Sequence, residues 1–274
     1  MKRRLFSYPY IVWMAIFILA PMLFIVYYAF WGGDGSFSLS YLRDALFARD
    51  IEGNLANLRS FGHSGIVAIE TTGICLLLGY PIAYLLSRMK RSMAAFVSTL
   101  FVVPMWMNFL LRTYALRSIF LSLESATGIQ ILDTQAAVLI GMVYDFLPFM
   151  ILPLYTILQK MDKSYMEAAQ DLGANPAQTF TKVVLPLSVP GIVSGITMVF
   201  VPSVTAFAVS QLLGGRKTPP LIGDLIHRRF MSDPPMYGVG SALSLILMVF
   251  VLASMVLMRV FDKDSPNEKG GKLW

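Results

Sequence analysis

The chain has 274 residues, of which 56% are hydrophobic and 14% charged, with a net charge of +6. A water-soluble domain carries about 25% charged residues, so this balance excludes an ordinary soluble globule and points to a membrane-embedded chain. The basic residues fall in short clusters between apolar runs, which argues for topology signals and headgroup contacts rather than a nucleic-acid surface.

Six apolar runs are long enough to cross a hydrocarbon core, which takes about 20 residues. They predict an all-α integral membrane chain with six transmembrane helices. The first run, 10–31, follows Lys2-Arg3-Arg4. It is longer than the apolar stretch of a signal peptide and no small-x-small cleavage site follows Phe30-Trp31, so a retained span is expected. With the loop after it, this span forms a first unit over residues 1–60.

The second run, 64–87, carries Glu70 and the single cysteine, Cys75, which excludes an intrachain disulfide and a thiol-rich metal site. A tight basic loop, "RMKR" at 88–91, separates it from the third run, 95–116. That run holds Trp106, Asn108, Arg112 and Tyr114, with Arg112 near its end and able to snorkel to the interface. The fourth run, 136–158, contains Tyr144 and Asp145 just before Pro148. A polar connection at 159–188 leads to the fifth run, 189–212, which ends near Gln211. The segment 213–239 carries "LIGDLIHRRFM" between proline pairs, with Leu221, Leu225 and Ile226 on one stripe. It reads either as an outer-face or re-entrant element or as a helix lying on lipid. The sixth run, 240–261, closes a 61–261 unit, and 262–274 form a tail.

Placing the N-terminus inside puts thirteen basic residues on the cytoplasmic side and nine outside. Both termini are then cytoplasmic, and "RMKR" is the best witness. The segment 213–239 opposes this with Arg216, Lys217, Arg228 and Arg229, but long loops obey the rule poorly. Prolines at 21, 81, 104, 148, 153, 190 and 202 tend to kink the spans that hold them.

The connection 159–188 has a pattern of its own. Ser164-Tyr165-Met166-Glu167 reads as a capping box that starts a helix at Tyr165. Ala168 and Ala169 favour helix, and Gly173 is placed to end it in the left-handed conformation. Asn175-Pro176 restarts a helix as N-cap and first residue. An eight-residue helix is too short to stand alone in water, so Tyr165, Met166, Ala169 and Leu172 need a surface to pack on. That surface is the chain's own bundle, the lipid headgroups or another protein.

Ionisable residues inside spans are costly and often functional. Asp145 reads either as part of a transport path or as half of an ion pair with Arg112 or Arg117. Glu70, Trp106, Tyr114 and Tyr144 are types that can replace water around an organic ammonium, and Asn108 and Gln211 add neutral hydrogen bonds. The aromatic residues among them also suit plain packing. No Walker A loop is present, since "GGRKT" at 214–218 has Arg216 where glycine is required. His63 and His227 form no H-E-x-x-H motif, and no G-x-S-x-G elbow occurs.

The connection also resembles the EAA loop of type I ABC importer permeases. The family spacing is Glu-Ala-Ala, three residues, Gly, nine residues, then Ile-x-Leu-Pro. Here it reads Glu167-Ala168-Ala169, Gly173, then Val183, Leu185 and Pro186, with valine in place of isoleucine. The stretches at 78–89, 102–116, 144–158 and 210–215 look like the first permease subunit of spermidine/putrescine importers. The resemblance implies the type I importer permease fold, with a cytoplasmic coupling helix bearing Ser164, Glu167, Ala168, Ala169, Leu172 and Gly173 and followed by Pro186. It implies a bacterial inner-membrane location and transport by alternating access. It implies a second permease subunit, two ATPase copies that bind ATP and magnesium, and an external substrate-binding protein, with no cofactor in this chain. Another solute of the same importer class, an ion-coupled carrier and an intramembrane enzyme using Asp145 stay open as alternatives.

Overall fold

The computed structural model describes residues 8–31, 37–47, 55–215 and 218–263. Lys2, Arg3, Arg4, Arg49, Arg216, Lys217, Lys269 and Lys272, all counted in the charge argument, lie outside the described residues. The first helix, α1, runs from Tyr8–Met14 through a π-helical turn, Ala15–Leu19, into Ala20–Phe30. It is followed by α2 (Ser40–Phe47), α3 (Ala56–Arg88), α4 (Arg91–Trp106), α5 (Phe109–Thr127), α6 (Gln135–Lys160) and α7 (Ser164–Asp171). The next helix, α8, runs over Pro176–Thr205 with a π-helical turn at Phe180–Val184. A separate π-helical turn, Ser210–Gly214, precedes α9 (Ile222–Phe230) and α10 (Tyr237–Lys263).

Backbone groups in hydrocarbon find no water to bond, and a helix satisfies them within its own segment. Five single helices are long and apolar enough to span: α1, α3, α6, α8 and α10. The expected third span is different. α4 and α5 meet at 97°, so the run 95–116 is not one helix but a broken pair, which makes up to six spans if counted as one. Pro104 accepts the last α4 bond, from Met107 N–H at 3.2 Å, and Met107 is extended. Asn108 then caps α5, with its Oδ1 accepting from Leu110 N–H at 2.9 Å and Leu111 N–H at 3.3 Å. A capping asparagine inside an apolar run stops one helix and starts another.

α3, α6 and α8 pack into a triangle whose buried side chains include Cys75, Leu86, Met142, Ile151, Leu154 and Val199. Met150 of α6 sits between two glycines. A Cβ on Gly79 of α3 would lie 3.0 Å from Met150 Cγ, and one on Gly195 of α8 would lie 2.6 Å from Met150 Sδ. Without a hydrophobic drive between helices in lipid, such small-residue contacts carry much of the association.

A second apolar cluster joins α1, α2, α9 and α10 around Ala29, Ala45, Ile222 and Leu243. It corrects the lipid-surface reading of segment 213–239. Leu221 and Ile222 are fully buried, and two helix-start N–H groups of α9 are met by other elements. Ser64 Oγ of α3 accepts from Ile222 N–H at 2.7 Å, and Ser210 Oγ accepts from Leu221 N–H at 3.4 Å. Asp224 is buried and accepts from Arg228 Nε at 3.0 Å and Nη2 at 2.9 Å. α9 is seated in the bundle, at the end opposite α7.

Candidate functional site

α7 is the most exposed polar element between two spans, and its boundaries are chemically set. The expected Ser164–Glu167 capping box does not form. Lys163 stands at the N-cap with helical backbone angles and no side-chain cap, and Ser164 is already inside the helix. Asp162 does the capping instead, with Oδ1 accepting from Ser164 N–H at 3.0 Å. That backbone bond holds the Asp162 carboxyl below the usual carboxylate range. An ionised carboxylate accepts more strongly than a hydroxyl and complements the positive helix end.

The end of α7 follows the sequence. Gly173 takes φ +86°, Gly173 N–H donates to Gln170 O at 2.9 Å, and Ala174 N–H donates to Ala169 O at 3.0 Å. This is a Schellman turn, which reverses the chain while meeting two free carbonyls. Asn175 then caps α8, and the capping box appears here. Asn175 Oδ1 accepts from Gln178 N–H at 2.8 Å, while Gln178 Oε1 accepts from Asn175 N–H at 3.0 Å.

The residues expected on one packing face of α7 divide. Met166 turns inward and packs on the main core, and Ala169 is half-buried. Leu172 is 89% exposed and Tyr165 57% exposed, while Glu167 and Ala168 face solvent. Pro186 lies exposed in α8, beyond the π-helical turn. A short helix with one apolar residue held inward and two held outward has anchored itself and still offers a surface.

Two charged residues inside the spans, Arg112 and Asp145, meet at the α4–α5 break. Arg112 is 6% exposed and Asp145 1%, and Arg112 Nη2 lies 2.9 Å from Asp145 Oδ1. Arg112 therefore does not snorkel to the interface; it is drawn inward by the carboxylate. Its Nη1 donates to Pro104 O at 3.0 Å, on the far side of the break. Thr113 Oγ1 lies 3.4 Å from Asp145 Oδ2, and the Arg112 guanidinium carbon is 5.8 Å from the Tyr144 ring centroid. One guanidinium thus ties α4, α5 and α6 together. Of the two partners expected for Asp145, the structure selects Arg112. Arg117 instead donates to Leu212 O at 2.8 Å.

Around this pair, Trp106 is 82% exposed, and Tyr114 and Tyr144 are about half exposed. Asn108 is occupied as the α5 cap. Glu70 lies away from this group. Its Oε2 accepts from Gln135 Nε2 at 3.4 Å. Gln135 is ten residues before Asp145 on α6, about 15 Å along the axis at 1.5 Å per residue. Gln211 is exposed on the Ser210–Gly214 turn. Among the described residues, no three His, Cys, Asp or Glu side chains are placed to hold a metal.

Sequence reasoning missed Asp162, the break at Met107–Asn108, the contact of Arg88 with Met166 of α7, and the packing of Phe180 on Tyr80 and Tyr84 described below. Asp162, two residues before Ser164, and Asn108, four after Pro104, were legible cap signals. The ring contacts had no sequence signal, because they join residues about a hundred positions apart.

A family described as "Binding-protein-dependent transport system inner membrane component" matches residues 75–265. The chain belongs to that family. The spermidine/putrescine transport system permease protein PotB of Escherichia coli (strain K12) is 36% identical over 275 residues, covering 92% of this chain and 98% of that protein. PotB of Haemophilus influenzae is 36% identical over 87% of this chain and 86% of its own length. A bacterial ABC transporter that imports the acidic polysaccharide alginate shares the fold, with TM-score 0.71, 15% identity and 97% and 96% of the two chains covered. A bacterial alginate ABC transporter, solved with a pentasaccharide-bound periplasmic protein, gives TM-score 0.69 at 19% identity over 96% and 97%. The all-α permease fold expected from the sequence is the fold observed, and the chain is a multi-pass inner-membrane component of a binding-protein-dependent transport system.

Proposed function

We propose that this permease carries polyamines such as spermidine or putrescine inward, driven by partner ATPases docked on α7. The observation that carries the cargo is the likeness to spermidine/putrescine permeases along nearly the whole chain. The drive is supported by α7 itself, a chemically bounded helix whose Leu172 and Tyr165 point to solvent. In this reading Glu167, Ala168, Ala169, Leu172 and Gly173 present the docking surface, with Ser164 in its first turn and Pro186 leading into the span. Two ATPase copies bind ATP and magnesium. A second permease subunit completes the pathway, and an external binding protein delivers the cargo. Both termini and α7 lie on the cytoplasmic side.

ATP binding closes the ATPases and displaces α7, and the bundle shifts between inward-open and outward-open states. The ligand does this through its different affinity for the two states. Trp106, Tyr114 and Tyr144 offer exposed ring faces to a polycation passing the break between α4 and α5, with Asn108, Gln211 and Glu70 as weaker contacts. A path without a strong permanent site suits release. Asp145, neutralised by Arg112, serves this path as scaffold rather than as a binding charge.

The test is reconstitution of the complex in vesicles with the external binding protein and radiolabelled spermidine. ATP-dependent uptake is expected. Replacing Gly173 with valine forces a branched residue into the left-handed region and is expected to remove ATPase from the purified complex. Uptake by the permeases with no ATPase present would sink the proposal.

A further inference from the structure

α7 is fastened to the bundle by a small set of side chains. Arg88, the last residue of α3, donates from Nη2 to the Tyr84 hydroxyl at 2.8 Å and to Met166 Sδ at 3.1 Å. Its guanidinium carbon lies 5.0 Å from the Tyr84 ring centroid. Phe180 of α8 stands edge-on to two α3 rings at once: Tyr84 at 5.4 Å and 85°, and Tyr80 at 5.7 Å and 88°. The Tyr80 hydroxyl is 2.8 Å from Ser188 Oγ, one turn past the π-helical segment, and Ser188 itself donates to Leu185 O at 2.8 Å. The contacts therefore run without a gap from Met166 on α7, through Arg88, Tyr84 and Tyr80 on α3, to Phe180 and Ser188 on α8.

The placement of Phe180 has a local cause. It opens the π-helical turn Phe180–Val184 inside an otherwise α-helical run. Such a turn inserts a residue into the helix and re-aims the side chains around it, and it is common where a helix serves a function. Here it stands where the connection from α7 becomes the span. The main-chain route from α7 to α8 passes a Schellman reversal and a fresh cap, and α7 also packs on the π-helical turn that Phe180 opens. The Tyr80, Tyr84 and Phe180 rings add a packed side-chain route beside it, each ring having only two torsions to hold.

The geometry points to Tyr84 and Phe180 as the joint that passes a displacement of α7 into α3 and α8. They are positioning residues, and this role rests on the proposal that ATPases dock on α7. When Met166 moves with α7, Arg88 and Tyr84 follow, and Phe180 makes α8 turn with α3. Removing either ring leaves docking intact and disconnects hydrolysis from transport.

The test uses the full complex in vesicles with Tyr84→Ala, Phe180→Ala, both together, and Tyr84→Phe. All four are expected to retain ATPase in the purified complex. Spermidine taken up per ATP hydrolysed is expected to fall about fivefold or more in each alanine variant, the factor that loss of the shared Tyr84–Phe180 ring contact alone brings to a two-state balance. The double variant is expected to lose less than the product of the two single losses, because both cut that shared contact, while Phe180→Ala also loses Tyr80 and Tyr84→Ala also loses Arg88. Tyr84→Phe keeps the ring that Phe180 and the Arg88 guanidinium face and loses only the hydroxyl bond to Arg88, so a defect well below that of Tyr84→Ala is expected. Hydrolysis without cargo is expected to rise in the alanine variants, which no longer move the bundle. Unchanged uptake per ATP and unchanged cargo-free hydrolysis in Tyr84→Ala would overturn the joint, as would an equal defect in Tyr84→Phe. A parent complex that hydrolyses ATP without taking up spermidine counts against the polyamine reading alone, and the joint is then judged on cargo-free hydrolysis.

Discussion

Arg112 and Asp145 form a buried ion pair, 2.9 Å apart, at the point where the broken α4–α5 helix meets α6. Two charges out of water cost free energy, and the pair recovers it only while both partners stay. Asp145→Leu leaves the guanidinium buried with only Pro104 O and the Tyr144 ring beside it and is expected to cost about 3 kcal/mol or more. Arg112→Met with Asp145→Leu removes both charges and is expected to recover most of that loss. The measurement is the thermal midpoint of the detergent-solubilised complex. Asp145→Asn is the discriminating variant, and a lowered midpoint is expected. An unchanged midpoint with reduced spermidine uptake would return Asp145 to the transport path.

Leu172 tests docking. At 89% exposure it contributes little to the fold of this chain, so Leu172→Glu is expected to leave the permease's own thermal midpoint unchanged. Buried in a cleft of the ATPase, it would be the kind of central apolar anchor that dominates an interface. Its replacement is expected to lower ATPase recovery in pull-downs about tenfold or more. Normal recovery would move the docking surface elsewhere.

Asp162 makes the stability of α7 depend on pH. Its folded pKa is lowered by the Ser164 N–H bond, so its contribution is present above the unfolded value, about 3.9. It is lost as pH falls through the lowered folded value. The protection of amides 164–171, taken as exchange relative to the intrinsic rate at each pH, is expected to fall on acidification below that range. Asp162→Ala is expected to speed exchange at neutral pH and to flatten the pH response. Exchange that depends on pH equally in both chains would remove Asp162 as the cap.

The spans, the end of α7 and the restart at Asn175 were legible because hydropathy and helix-cap chemistry are local. The capping-box pattern at Ser164–Glu167 marks the right turn of the chain but not the cap that forms. Ser164 and Glu167 fit the pattern, but the stronger acceptor, Asp162, stood two residues earlier and won. The third run misled because its composition stays apolar through Met107 and Asn108, while backbone hydrogen bonding breaks there. Arg112 was read from its place near a span end. Its burial follows from Asp145, thirty-three residues away, and no local pattern records that distance. The burial of α9 was hidden for the same reason, since the oxygen that receives Ile222 N–H belongs to Ser64. Local chemistry bounded the short helix α7, the family resemblance gave it a coupling role, and long-range packing decided which charges are free.

Gly195 tests the tightness of the α3–α6–α8 triangle. Its added Cβ would lie 2.6 Å from Met150 Sδ and 3.4 Å from the Met150 carbonyl oxygen. The sulfur belongs to a flexible side chain, but Met150 is fully buried and already faces Gly79 on its other side. It has little room to retreat. Gly195→Ala is therefore expected to cost about 1–2 kcal/mol, as overpacking of a tight core does. Gly195→Leu adds three more carbons and is expected to prevent recovery of the folded complex. Met150→Val shortens the side chain toward α8 and is expected to recover part of the Gly195→Ala loss, because the two changes share one contact. Thermal midpoints of the parent, both single variants and the double variant close the cycle. Strictly additive losses would show that α6 and α8 do not meet at Met150 and Gly195.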